Sequence, residues 1–138
     1  MTRAGLAMVL PDRLYQRGHM LTWPAAQKRA LLKAHGIGLV VNVWNKVDPD
    51  LSGLAYLNMP MGSDAIPPNT EAVVNVAAHW QGGAVLVMCE AGVTRSVWLC
   101  GRVLKALGMH GEDAYLLLHE RIPRAKLSTV LKDDLLKG

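Results

Sequence analysis

Three residues near the middle of the chain could do chemistry together: Cys89, Arg95 and Ser96. They lie in the stretch Cys89-Glu90-Ala91-Gly92-Val93-Thr94-Arg95-Ser96. A thiolate is a nucleophile, and a guanidinium fork can hold two oxygens of one oxyanion. A hydroxyl after the arginine can cap a helix or reach the sulfur. The intervening residues form a loop whose successive backbone N–H groups make a concave nest for an anion. Gly92 leaves room where a Cβ would obstruct a tight turn or an approaching oxygen. With two cysteines and eight arginines in the chain, the spacing alone is weakly selective. The plain alternative is a core cysteine followed by a surface arginine.

The flanking elements add the weight. Ala84 to Met88 is a continuous apolar run, as in a strand buried on both faces. Val97 to Leu107 is apolar and long enough for a helix, with Gly108 as its stop. The thiol therefore falls where a strand meets a helix N-terminus, and the field there favours thiolate over thiol.

With these flanks, the Cys89-x5-Arg95-Ser96 stretch resembles the phosphate-binding loop of the cysteine-dependent protein tyrosine phosphatases. Chain length and motif position resemble the small dual-specificity branch. The resemblance implies that Cys89 attacks phosphorus and forms a phosphocysteine. It implies that Glu90, Ala91, Gly92, Val93, Thr94 and Arg95 bind the phosphoryl oxygens. An upstream aspartate would protonate the leaving group, and Ser96 would help the intermediate hydrolyse. The family usually places His before the cysteine, where it favours the thiolate; this chain has Met88.

Asp64 is the expected general acid. It lies 25 residues before Cys89, in the loop Pro60 to Asn69, whose prolines and glycine exclude regular structure. A loop after a strand ending on the same side as the Cys89 strand could bring a carboxylate within hydrogen-bond reach of the leaving oxygen. Asp48 and Asp50, in the polar loop Asn45 to Gly53, are the rivals, and a solvated Asp64 is the bland alternative.

The remaining elements read as scaffold. Leu6 to Leu10 is a first strand, Pro11-Asp12 a turn, and Leu14-Tyr15 before Gly18 resembles the opening strand pair of the same family. Thr22-Trp23-Pro24 opens a helix that runs to about His35, with Gly36 as its stop. Ile37 to Trp44 is an apolar strand with Asn42 as a buried amide, either bonding nearby backbone or steadying the phosphate loop. Leu54 to Met59 is another strand. Asn69-Thr70-Glu71 caps a helix with an inward stripe of Val73, Val76, Ala77 and Trp80. Helices from Gly111 to Arg121 and around Leu127, Val130, Leu131 and Leu135 complete the chain. The alternation predicts an α/β three-layer sandwich: a mostly parallel central sheet with helices on both faces, residues 1–138 forming one catalytic domain.

Composition bounds the rest. The 138 residues are 51% hydrophobic and 19% charged, with a formal net charge of +4. Between Lys46 and Arg95 there is no Lys or Arg, which argues against a continuous basic stripe for nucleic acid. No apolar run approaches the ~18 residues of a membrane span. Cys89 and Cys100 do not suggest a disulfide framework; Cys100 reads as a core filler, with a regulatory disulfide to Cys89 as the alternative. The five histidines show no metal-ligand spacing, so neither metal nor cofactor is expected.

The expected activity is phosphomonoester hydrolysis in a cytoplasmic, monomeric protein tyrosine or dual-specificity phosphatase. The loop interior holds no lysine and one acid, which favours a singly phosphorylated protein side chain. An RNA 5′-phosphate or inositol phosphate is the enzymatic alternative. A pseudophosphatase that binds phosphoprotein without turnover is the non-enzymatic one.

Overall fold

Among the described residues, five strands form one sheet in the order β1-β2-β5-β3-β4: β1 (Ala7–Leu10), β2 (Leu14–Gly18), β3 (Ile37–Asn42), β4 (Ala55–Asn58) and β5 (Ala84–Cys89). The structure, a computed structural model, describes residues 5–51, 53–62 and 65–137. Only the β1–β2 pair is antiparallel; β2–β5, β5–β3 and β3–β4 are parallel. β1 and β2 are joined by a turn in which Asp12 takes φ 60°, a left-handed conformation that aspartate tolerates. The central strand β5 is buried at all six positions, as its unbroken apolar run requires.

Side-chain alternation divides the sheet into two faces. Val85, Val87 and Cys89 join the core beneath α2 (Thr70–Ala78), α3 (Arg95–Ala106), α4 (Gly111–Arg121) and α5 (Thr129–Leu136). Leu86 and Met88 join the opposite core, with Leu31 and Leu32 of α1 (Ala25–Ala34). The expected three-layer sandwich is thus observed, with helices on both faces.

Local details depart from expectation in several places: β3 ends at Asn42 rather than Trp44, and α2 ends at Ala78, before Trp80, with no side-chain cap bond at Asn69. The helix after Thr22 starts at Ala25, with Pro24 as its N-cap and no side-chain cap bond. In α2, Val73, Val74, Ala77 and Ala78 are buried while Val76 is 43% exposed. The loop after β3 contains a short 3-10 turn, Pro49–Leu51.

Candidate active site

Cys89 ends β5, and the chain then turns through Glu90–Thr94 into the first residue of α3, Arg95. Gly92 makes this turn at φ 71°. A Cβ built there would lie 2.4 Å from the Gly18 backbone nitrogen and 2.9 Å from the Arg17 carbonyl carbon. Glycine is thus required twice, by backbone conformation and by close packing of the loop on the end of β2. The His19 N–H donates to the Glu90 carbonyl at 3.2 Å and ties the chain after β2 to the same loop.

Among the described residues, the Cys89 sulfur has two close polar neighbours. Ser96 Oγ is 3.0 Å away, and the Gly92 N–H donates to Sγ at 3.3 Å. The Ser96 hydroxyl therefore reaches the sulfur, while no side chain caps α3, whose N-cap is Thr94. The Thr94 hydroxyl instead donates to the Lys126 carbonyl at 2.8 Å. The Lys126 N–H donates to the Val93 carbonyl at 2.9 Å, so the α4–α5 connection is stitched to the loop at two points.

Above the sulfur lies a pocket of about 470 Å³, lined by Cys89, Ala91, Val93, Thr94, Arg95, Lys126, Leu127 and Ser128. Arg95 Nη1 donates to the Met61 carbonyl at 3.0 Å, and Nη2 lies 3.5 Å from Glu90 Oε1. The loop after β4 is thereby fastened to the pocket wall three residues before Asp64. Asp64 itself lies outside the described residues. The structure thus brings Cys89, Ser96, Arg95 and the loop backbone together.

The rivals to Asp64 have other partners. Lys28 Nζ lies 2.8 Å from Asp48 Oδ1 and 2.8 Å from Asp50 Oδ2, and both Lys28 and Asp48 are buried. Asn42 also serves its own neighbourhood. Its Nδ2 donates to the Lys46 carbonyl at 2.7 Å and to Asn58 Oδ1 at 3.0 Å, and its Oδ1 accepts from the Trp44 N–H at 3.2 Å. Of its two sequence readings, the bonds match the first.

Met88 is buried in the α1-side core, on the face opposite Cys89. An imidazole in that cluster of Leu31, Leu86 and Met20 would need a polar partner. Both cysteines are free. Burial, and then the proximity of Cys89, push the Cys100 thiol well up from its ordinary value.

Two site residues escaped the sequence reading. Gln16 of β2 is 2% exposed, and its Nε2 lies 2.8 Å from Gly92 O and 2.7 Å from Ser96 Oγ. Lys126 adds a cation to the pocket wall from outside the loop, so the loop interior alone understates the positive charge. No sequence signal marked either one, because their partners are distant in the chain.

Fold comparison shows what the chain is similar to. Human DUSP28 superposes with a TM-score of 0.79 at 26% identity, over 96% of this chain and 91% of that one. The chain has the fold of the small dual-specificity-like branch of the protein tyrosine phosphatase superfamily. A mouse protein of dual-specificity phosphatase type, complexed with zinc tungstate, matches equally: TM-score 0.79, 26% identity, 99% of this chain and 87% of that one. The human tyrosine phosphatase-like serine/threonine/tyrosine-interacting protein shares the fold, with a TM-score of 0.73 at 20% identity over 94% and 92% of the two chains. No protein-family model and no curated protein matches the sequence. Among the described residues no helix is long and apolar enough to cross a membrane.

Proposed function

We propose that the protein is a metal-independent phosphomonoester hydrolase acting through a phosphocysteine on Cys89. The observation that carries this reading is the Cys89 sulfur at the pocket floor, 3.0 Å from Ser96 Oγ and 3.3 Å from the Gly92 N–H, with Arg95 on the wall. In the first step the sulfur attacks phosphorus, the ester P–O bond breaks, and Asp64 gives its proton to the leaving oxygen. The backbone N–H groups of Glu90–Thr94 and the Arg95 guanidinium hold the equatorial oxygens. In the second step Asp64 takes a proton from water as the water attacks phosphorus. The S–P bond breaks, and its electron pair returns to a sulfur supported by Ser96. The Arg95–Met61 bond favours Asp64 as the acid, since it draws that loop to the pocket.

The substrate we infer is a phosphorylated protein side chain, phosphotyrosine foremost, with phosphoserine or phosphothreonine also accepted. Lys126 favours substrates with an acidic residue beside the phosphorylated one. We place this activity in the cytoplasm, where a free nucleophilic thiol is kept reduced.

Phosphate release from an aryl phosphate without added metal tests the reading. Wild type turns over, and Cys89→Ser abolishes turnover. Arg95→Ala lowers kcat/KM by about 10²–10³-fold. Asp64→Asn lowers kcat by at least about 10²-fold and removes the basic limb of its pH profile. Activity that survives Cys89→Ser would rule out the thiolate mechanism. Tight phosphopeptide binding by a folded, reduced wild type that releases no phosphate would instead identify a binding module.

A further inference from the structure

We propose that Gln16 is a positioning residue that fixes the direction of the Ser96 hydroxyl proton, and with it both hydrogen-bond donors to the Cys89 sulfur. This rests on the phosphocysteine reading and extends it to a residue of another strand.

The amide orientation follows from valence. Gly92 O is a carbonyl oxygen and can only accept, so the Gln16 atom 2.8 Å from it must be the amide nitrogen. That nitrogen carries two hydrogens. One goes to Gly92 O, and the other is aimed at Ser96 Oγ, 2.7 Å away. Ser96 Oγ therefore accepts from Gln16. Its single hydroxyl proton is left for the other close partner, Cys89 Sγ at 3.0 Å. One carbonyl thus sets a directed chain from Gln16 through Ser96 to sulfur. Without the amide, the hydroxyl is a rotor that could as well accept a proton from the thiol.

The same amide acts on the second donor. Gly92 donates its N–H to Sγ at 3.3 Å while its carbonyl is held by Gln16. The two residues that donate to the sulfur are therefore the two that Gln16 grips. Gln16 occupies a core-facing position of β2, opposite Val87 in the register. A buried primary amide there is costly unless bonded, and its bonds converge on the nucleophile. Two donors aimed at sulfur stabilise negative charge on it, the charge that develops as the S–P bond breaks. The second chemical step should therefore depend most on Gln16.

The test compares Gln16→Leu, which keeps the bulk without the donors, with Ser96→Ala and the double variant. In Gln16→Leu, kcat should fall about 10-fold while kcat/KM for an aryl phosphate falls about 3-fold or less. A burst of about one equivalent of aryl alcohol should appear, with phosphocysteine trappable by acid quench. Ser96→Ala should show the same pattern, and the double variant should be no slower than Ser96→Ala alone. Gln16→Glu has the same shape, but its carboxylate can only accept, so it should be impaired at least as much as Gln16→Leu.

Iodoacetamide alkylation of Cys89 needs no substrate. Its pH midpoint should move up by about half a unit to one unit in both single variants. Among the described residues, the charged or titratable groups around the sulfur and its pocket are Glu90 and Arg95 of the loop, Cys100 of α3 and Lys126 of the α4–α5 connection, and all are kept. Multiplicative rate losses in the double variant would overturn the proposal. So would a Gln16→Leu that loses thermal stability without a burst or an alkylation shift. If that variant does not fold, Gln16→Met gives the same comparison. A wild type without turnover would remove the phosphatase reading, and the alkylation midpoints would still decide the role of Gln16.

Discussion

Each face of the sheet buries a polar cluster, and the two clusters differ in whether every bond is spent internally. On the α1 face, the Lys28 side chain is 1% exposed and its ammonium is taken up by Asp48 and Asp50. Asp48 Oδ1 also accepts from the Asp50 N–H at 3.1 Å. That cluster closes on itself and pins the loop after β3 to α1. On the α3 face, Gln16, Ser96 and the Gly92 backbone form a neutral network that ends on a sulfur lining a pocket. The closed cluster can only hold the fold together, whereas the open-ended one can act on something that enters. A buried polar group is thus a candidate for chemistry when its chain of bonds ends at a cavity.

The largest expected effect that bears on this contrast is on stability. Lys28→Met leaves Asp48 buried without its cation and should cost about 3–5 kcal/mol, read by denaturant unfolding. Turnover of the remaining folded protein should stay within about twofold of wild type, since Lys28 bonds nothing at the pocket. Gln16→Leu should show the reverse balance, with a stability loss of about 1 kcal/mol and the kinetic signature described above. A Lys28→Met that unfolds normally but turns over slowly would break the comparison.

Alkaline titration sharpens it next. Burial lowers the affinity of Lys28 for its proton, but Asp48 and Asp50 together outweigh it, so the pKa lies above the ordinary 10.5. The stability from this group is therefore fully present below about pH 10.5 and is lost as pH rises through the higher folded value. Wild type should lose stability in that alkaline range, and Lys28→Met should lose less over the same interval, as followed by thermal unfolding across pH.

The smallest effect belongs to Lys126 at the pocket rim. Lys126→Ala should raise KM about 2–5-fold for a phosphopeptide with acidic neighbours and raise it less for a simple aryl phosphate, which has no acidic neighbours. The difference should fade as salt is added. Equal effects on both substrates would mean that Lys126 does not read the flanking sequence.

The parts of the protein that were legible in sequence are those in which neighbours in the chain are neighbours in space. The β5–loop–α3 unit is one continuous stretch, so its buried strand, its glycine turn and the order thiol, guanidinium, hydroxyl could be read directly. The alternation of strands and helices likewise matched the three-layer fold. Apolar period failed for α2, because Ala72, Val73, Val74, Val76, Ala77 and Ala78 make it apolar nearly all round. Several faces were therefore equivalent until α3 chose one, and Val76 was left outside.

Lys28 gave no local sign of burial, because its carboxylates lie 20 and 22 residues away. Gln16 was equally silent, since its partners are 76 and 80 residues distant. By itself, the sequence determined that a cysteine ends a buried strand beneath a glycine turn, followed by an arginine and a hydroxyl at the start of a helix. Local covalent spacing, backbone preference and apolar patterning suffice for that. Only the tertiary structure decided that Ser96 turns to sulfur rather than capping its helix, that Asp48 and Asp50 are held by Lys28, and that Gln16 and Lys126 stand at the pocket. Hydrogen bonds and ion pairs act over a few ångströms, and the fold alone brings strand β2 and the α4–α5 connection within that range of Cys89 and its loop.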